Sequence, residues 1–152
     1  MSESPEGGLS KFKVSWRGLL AMLATILVIA VVAISSYGDF THYAQNSEAI
    51  TLMASAKVPL SEYFQNQGKW PENLDKIVES TSGRFTKSVG ITKGAGGDGE
   101  IELTATMGTE GVDRRVAGRT ILMVSADGGK TWTCKRGTMR EDHLPRGCRA
   151  AN

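Results

Sequence analysis

From Gly18 to Gly38 the chain carries no charged side chain, and within that stretch the run GLLAMLATILVIAVVAISS, Gly18 to Ser36, has only Thr25 and two terminal serines as polar guests. At about 1.5 Å per residue such a run covers a hydrocarbon core of roughly 30 Å, so a single membrane-spanning helix is predicted. Lys11, Lys13 and Arg17 precede the run, whereas Asp39 and Glu48 come after it and before the first lysine at Lys57. This bias places the N-terminus in the cytoplasm and exports the C-terminal bulk. A cleaved secretory signal is the competing reading, because a basic start, an apolar stretch and a small-residue site at Val31-Val32-Ala33 are all present. Against it, the run exceeds the usual signal length, and the residues beyond Ser36 continue the helical pattern without a break.

The remainder is small. In 152 residues and 16.3 kDa, with 40% hydrophobic and 22% charged residues, there is room for one folded domain of roughly 110 residues beyond the apolar run. Size and composition argue against two-domain enzymes and disorder-dominated chains. A core that small benefits from a covalent staple. An exported domain meets an oxidising compartment, and the two cysteines, Cys134 and Cys148, allow only one pairing, so one disulfide is expected. A metal site is the alternative, with His143 inside the loop, but Cys134, His143 and Cys148 lack the short paired spacings of zinc ligands. The formal charge of +2 carries no overall nucleic-acid signature.

Along the chain, Met1 to Ser10 are small and polar and read as a short cytoplasmic tail. Ala49, Leu52, Met53, Ala56, Leu60, Tyr63 and Phe64 recur at three- and four-residue steps, which extends the helix to Gln67 with one apolar stripe. Gly68 is a natural stop, and Pro59 is expected to kink the helix. Glu72 to Glu79 reads as a short helical turn. Strands are predicted over Arg84 to Thr92, Glu100 to Met107, Thr120 to Ser125 and Lys130 to Cys134, separated by the glycine clusters Gly94 to Gly99 and Asp127-Gly128-Gly129. Ile101, Leu103, Ala105 and Met107 alternate with Glu102, Thr104 and Thr106, so one sheet face is buried. The result is an α+β domain in which a membrane-rooted helix packs on a small antiparallel sheet, closed by a disulfide loop.

Several short stretches, taken in order, are similar to type IV pilins, the subunits of bacterial surface filaments. They are Tyr37-Gly38-Asp39-Phe40-Thr41 with Ala44-Gln45, Ser47-Glu48-Ala49 leading to Ala56-Lys57 and Glu62-Tyr63-Phe64, then Gly68-Lys69-Trp70-Pro71, Phe85 to Val89, Trp132-Thr133-Cys134, Leu144-Pro145 and Cys148-Arg149. The resemblance covers about residues 37 to 149. It implies the same α+β fold with an exposed C-terminal disulfide loop, and a structural, non-enzymatic role. The family's leader glycine and the glutamate of its mature helix have no counterpart at usable spacing: aligning Tyr37 puts the cut between Lys13 and Val14 and the glutamate at Gly18. Trying Gly18 as the last leader residue puts Leu23 there instead. The expected organisation is therefore a cytoplasmic tail over 1–17, a transmembrane helix over 18–36 and a periplasmic pilin-like domain over 37–152 in a bacterial inner membrane or a surface filament. The expected partners are pilin-like subunits or pilus assembly proteins of a type IV pilus or a related secretion or DNA-uptake apparatus. The alternative is a membrane-anchored binding module that uses the domain without polymerising.

Other constellations carry less. Ser125-Ala126-Asp127-Gly128-Gly129-Lys130-Thr131-Trp132 fits the Asp-box pattern of sialidase-like propellers, in a single copy where blades come in repeats. A hairpin in which Asp127 caps its own turn and Trp132 packs behind it accounts for the match. Paired catalytic carboxylates and phosphate cradles are missing from the pattern, and no cofactor is expected. His42 and His143 read as lone surface residues. Charge is split: Asp39 to Asp113 holds six basic and eleven acidic residues, Arg114 to Arg149 nine basic and three acidic. These segments can complement each other between neighbouring subunits. Alternatively, Arg114, Arg115, Arg119, Lys135, Arg136, Arg140, Arg146 and Arg149 form a surface for DNA or an acidic glycan or lipid head group.

Overall fold

The computed structural model describes residues 15–149. Helix α1 runs Trp16–Gln67, and it is followed by four strands: β1 Thr86–Lys93, β2 Ile101–Met107, β3 Thr120–Ser125 and β4 Thr133–Arg136. A 3-10 turn at Glu141–His143 and the one-turn helix α2, Arg146–Arg149, complete the order. The tail expected over Met1 to Ser10 lies outside the described residues. The chain divides into two compact units, one through Tyr37 and one from Gly38 onward.

The first unit is the apolar part of α1. Leu20, Leu23, Ile26, Val28, Val31 and Ile34 all stand exposed within the chain, and α1 is long and apolar enough to cross a membrane by length and composition. Its hydroxyls do not break that character, because Thr25 donates to Ala21 O at 2.9 Å and Ser35 to Val31 O at 3.0 Å, back onto the helix itself.

In the second unit the apolar stripe of α1 works as its spacing requires. Ala49, Met53, Ala56 and Leu60 alternate at four- and three-residue steps, and each is fully buried. Pro59 does not interrupt α1, which continues to Gln67 with the proline inside it. Gly68 closes the helix at φ 69°, a left-handed conformation that glycine adopts without a Cβ clash, and its N–H donates to Phe64 O at 2.8 Å.

The strands form one antiparallel meander in the order β1-β2-β3-β4. Leu103 pairs with Ile91 on one side and Met123 on the other, and Met123 in turn pairs with Cys134. Ile101, Leu103, Ala105 and Met107 are fully buried against the helix stripe, while Thr104 and Thr106 are half-exposed and Glu102 is nearly covered. One face of β2 is thus buried and the other partly covered, as a central strand of a sheet packed on one side requires.

Glu72 to Glu79 holds the short turn expected of it: Leu74 O accepts from Ile77 N–H and Val78 N–H, and Leu74 inserts into the core. Two strand starts shift. β1 starts at Thr86 instead of Arg84, because the N–H groups of residues 84 to 86 are taken by the Glu48 carboxylate. β4 starts at Thr133, because Lys130 to Trp132 belong to the Asp127 turn.

Candidate functional site: the disulfide lobe and its basic surface

Cys134 on β4 is bonded to Cys148 on α2 with a Cα–Cα distance of 4.7 Å. The enclosed segment is no loose loop. Met139, Leu144 and Cys148 enter the core with exposures of 5% or less, and Met139 N–H donates to Thr120 O. Thr120 and Thr138 exchange reciprocal bonds, each N–H donating to the other's Oγ1 at 2.9 Å. The exposed disulfide loop expected from the sequence is therefore a lobe with an apolar underside.

A polar latch ties this lobe to α1. Asn46 Nδ2 donates to His143 O at 2.7 Å, and the Tyr43 hydroxyl donates to Asp142 O at 2.7 Å. Arg149 Nε donates to Leu144 O at 2.6 Å, and its Nη2 donates to the Tyr43 hydroxyl at 2.8 Å. On the same turn of the helix Gln45 Oε1 accepts from Asp113 N–H at 2.9 Å. The same helix face that is apolar from Ala49 onward is thus polar and buried at His42, Gln45 and Asn46.

Both histidines correct the reading of them as surface residues. His42 is 2% and His143 8% exposed, and their rings lie 5.0 Å apart between centroids. The missed signal was periodicity: His42, Asn46, Ala49 and Met53 continue one four-and-three spacing, but their polar chemistry hid it.

Five of the eight basic residues of the candidate polyanion surface line three different concavities. Arg136, Arg140 and Arg149 line a single concavity with Glu141 and Asp142. Arg115 lines a different cleft with His42, Tyr43, Asp142 and His143, and Lys135 a third with Glu100 and Asp127. Arg114, Arg119 and Arg146 are exposed and line none of these. Two of the arginines are committed to carboxylates. Arg115 binds Asp113 through Nε and Nη2, both at 3.1 Å, and Arg140 binds Asp142 with Nη2 at 2.7 Å. The Arg115 hydrogen bond holds the Asp113 carboxyl below the usual range despite the opposing effect of burial. Arg140 does the same for Asp142.

The Asp-box segment is a self-satisfied turn. Asp127 Oδ1 accepts from the Ser125 hydroxyl and Thr131 N–H at 2.9 Å each, and Oδ2 accepts from the Thr131 hydroxyl at 2.6 Å. The Thr131 hydroxyl, with the other donors, pulls the Asp127 carboxyl down to about 2. Trp132 Nε1 donates to Gly129 O behind it, and its ring meets Trp70 edge-on at 6.2 Å. These bonds commit the carboxylate to holding its own turn. Among the described residues no group of three or more His, Cys, Asp or Glu side chains is arranged to hold a metal.

The comparisons with known proteins agree with this geometry. A fimbrial protein, EcpC, of Eikenella corrodens is 33% identical over 137 residues, covering 88% of this chain and 87% of that protein. The type IV major pilin protein PilE1 of Neisseria gonorrhoeae is 30% identical over 154 residues, 86% of this chain and 89% of its own length. A fimbrial protein of Neisseria meningitidis serogroup A is 32% identical over 130 residues, 82% and 72% respectively. The profile of the family described as Pilin (bacterial filament) matches residues 44–149, the span that holds the helix stripe, the meander and the disulfide lobe, and the chain therefore belongs to the pilin family.

Proposed function

We propose that the chain is a structural, non-enzymatic pilin-type subunit, a component of a type IV pilus or a related secretion or DNA-uptake apparatus. The observation that carries this is the pairing of two halves in one helix. One half exposes apolar side chains from Leu19 to Ile34 that require lipid or neighbouring apolar helices, and the other lends its stripe to a disulfide-closed body. In this reading residues 1–17 stay in the cytoplasm, 18–36 span the bacterial inner membrane once, and 37–152 form the periplasmic or filament-exposed body. Its partners are further pilin-like subunits or pilus assembly proteins, since its fimbrial and major-pilin relatives are named as filament proteins. The test is to shear surface filaments from cells expressing a tagged chain and to measure the intact mass in both fractions. Recovery in filaments, with a mature start at Val14 or Leu19, supports a polymerising subunit. Recovery only in the membrane fraction, with Met1-side residues retained, supports the accessory module.

A second reading concerns the basic concavity. Arg136, Arg140 and Arg149 converge on a volume of about 520 Å³, which suits a phosphate or carboxylate of DNA, an acidic glycan or a lipid head group. The Arg140–Asp142 pair and the bonds Arg149 makes to the lobe reduce the charge on offer, which favours packing between subunits. Charge reversal at Arg136 and Arg140 separates the two. Polyanion binding predicts a steep loss of affinity with salt that the reversals flatten, whereas packing predicts indifference to DNA and impaired assembly.

A further inference from the structure

The start of α1 carries its own mark of a polar boundary. Ser15 stands just before the helix, where its side-chain oxygen accepts from Gly18 N–H at 3.2 Å and its carbonyl accepts from Leu19 N–H at 3.0 Å. The side-chain bond meets one of the N–H groups that a helix start leaves without a partner inside the helix. The other N–H groups of the first turn need water or a polar head group, so that turn does not belong in hydrocarbon. Trp16, 74% exposed, opens the turn, and Arg17 follows it.

Tyr37, 79% exposed, ends the first compact unit twenty-one residues later. At about 1.5 Å per residue the two aromatic positions lie about 31 Å apart along the helix axis, against a hydrocarbon core of about 30 Å. Between them only Arg17, beside Trp16, is charged, and the next charged residue is Asp39, just past Tyr37. The aromatic positions therefore stand where the apolar run meets polar chain at each end. An indole or phenol ring suits such a place, because its body contacts acyl chain while its N–H or O–H meets water and ester oxygen. Among neighbouring apolar helices the same polar atoms would be taken away from water.

We propose that Trp16 and Tyr37 are interfacial anchors, one in each head-group layer, that hold the apolar half of α1 at a fixed depth in a phospholipid bilayer. This rests on the reading of residues 18–36 as a membrane span and adds what sets its position. A cut after Gly18 would remove Trp16 and Arg17 together, leaving the span anchored at one end only.

The test uses the full chain in dioleoyl phosphatidylcholine nanodiscs, labelled with 5-fluorotryptophan, 3-fluorotyrosine and methyl-labelled methionine. Trp16→Phe, Tyr37→Phe and Met22→Leu assign the three NMR signals. A nitroxide at carbon 5 of the lipid chain is expected to broaden Trp16 and Tyr37 about threefold more than one at carbon 16, and Met22, deeper in the span, is expected to show the reverse preference. In Trp16→Ala/Tyr37→Ala the span still inserts but loses its fixed depth, so the Met22 preference is expected to fall by about half. A Met22 preference unchanged in that variant overturns the proposal, since apolar length alone would then set the depth. Trp16 or Tyr37 signals that ignore both nitroxides, while Met22 still responds to carbon 16, overturn the anchors and leave the span standing. If none of the three responds, the span reading fails with them. Protection of all three that is lost only on diluting the chain in lipid makes neighbouring helices the occupant, and also overturns the proposal.

Discussion

Glu48 projects from α1 to the start of β1, where its carboxylate gathers three backbone donors. Oε1 accepts from Phe85 N–H at 2.8 Å and Thr86 N–H at 2.9 Å, and Oε2 accepts from Arg84 N–H at 3.2 Å. Thr86 is 1% exposed and Phe85 half-buried, so water cannot replace the acceptor fully at either. Glu48→Ala leaves two such N–H groups without a partner, at about 1–3 kcal/mol each, and Arg84 loses little because it is exposed. The expected loss is about 2–5 kcal/mol, or roughly 8–20 °C in Tm for a domain of this size. The pH dependence has a definite sign. Burial alone raises the Glu48 carboxyl, but the N–H donors of Phe85, Thr86 and Arg84 outweigh it and hold the group below its ordinary value. Stability from this contact is therefore present above the unfolded-state pKa, about 4.3, and is lost as pH falls through the lower folded-state value. Gly83 supplies an internal control, since a Cβ there would run into the Glu48 carboxylate. Gly83→Ala should be costly in the wild-type chain and much milder in Glu48→Ala, a coupling a double-mutant cycle detects. Urea unfolding of the detergent-solubilised chain, followed by tryptophan fluorescence at pH 7 and 3.5, measures all of this. A Glu48→Ala loss under about 0.5 kcal/mol, or an acid slope identical to that of the wild type, would refute the reasoning.

Reduction or Cys134→Ser is expected to cost about 2–5 kcal/mol by freeing a loop of about 15 residues in the denatured state; thiol labelling of the native chain without reductant should find neither cysteine. Trp70 is 1% exposed, stacks on Phe64 at 4.3 Å and donates from Nε1 to Gly99 O at 2.8 Å. Trp70→Ala should cost about 3–5 kcal/mol and Trp70→Phe about 1–2, the difference between losing the packing and losing mainly the bond. Asp127 remains ionised down to about pH 2, so exchange protection of the Thr131 amide should survive at pH 4 and fail only below that, and Asp127→Ala should abolish it at any pH. On α1, Leu60→Ala should cost about 2–5 kcal/mol whereas Val58→Ala, at a position 65% exposed, should stay within about 0.5.

The apolar helix, its stripe, the strands β2 and β3 and the cysteine pairing were legible in the amino-acid sequence because each rests on local period or simple counting. Ala49, Met53, Ala56 and Leu60 announce a helix face through their spacing, and Ile101 to Met107 announce a half-buried strand through alternation. The boundaries that moved are those decided by a side chain from elsewhere. Glu48 takes the N–H groups where β1 was expected to begin, and Asp127 ties up the residues where β4 was expected to begin. The short turn in Glu72 to Glu79 is legible too, but the place Leu74 takes in the core is decided only by the assembled fold. The site was decided by tertiary structure almost entirely. Asn46 reaches His143 across 97 positions and Tyr43 reaches Asp142 across 99, so two histidines that look solitary along the chain are neighbours in space. The basic residues show the converse: of the nine crowded into the last quarter of the chain, Arg115, Lys135 and the group Arg136, Arg140 and Arg149 face three different clefts, because short strands and tight turns point successive side chains in different directions.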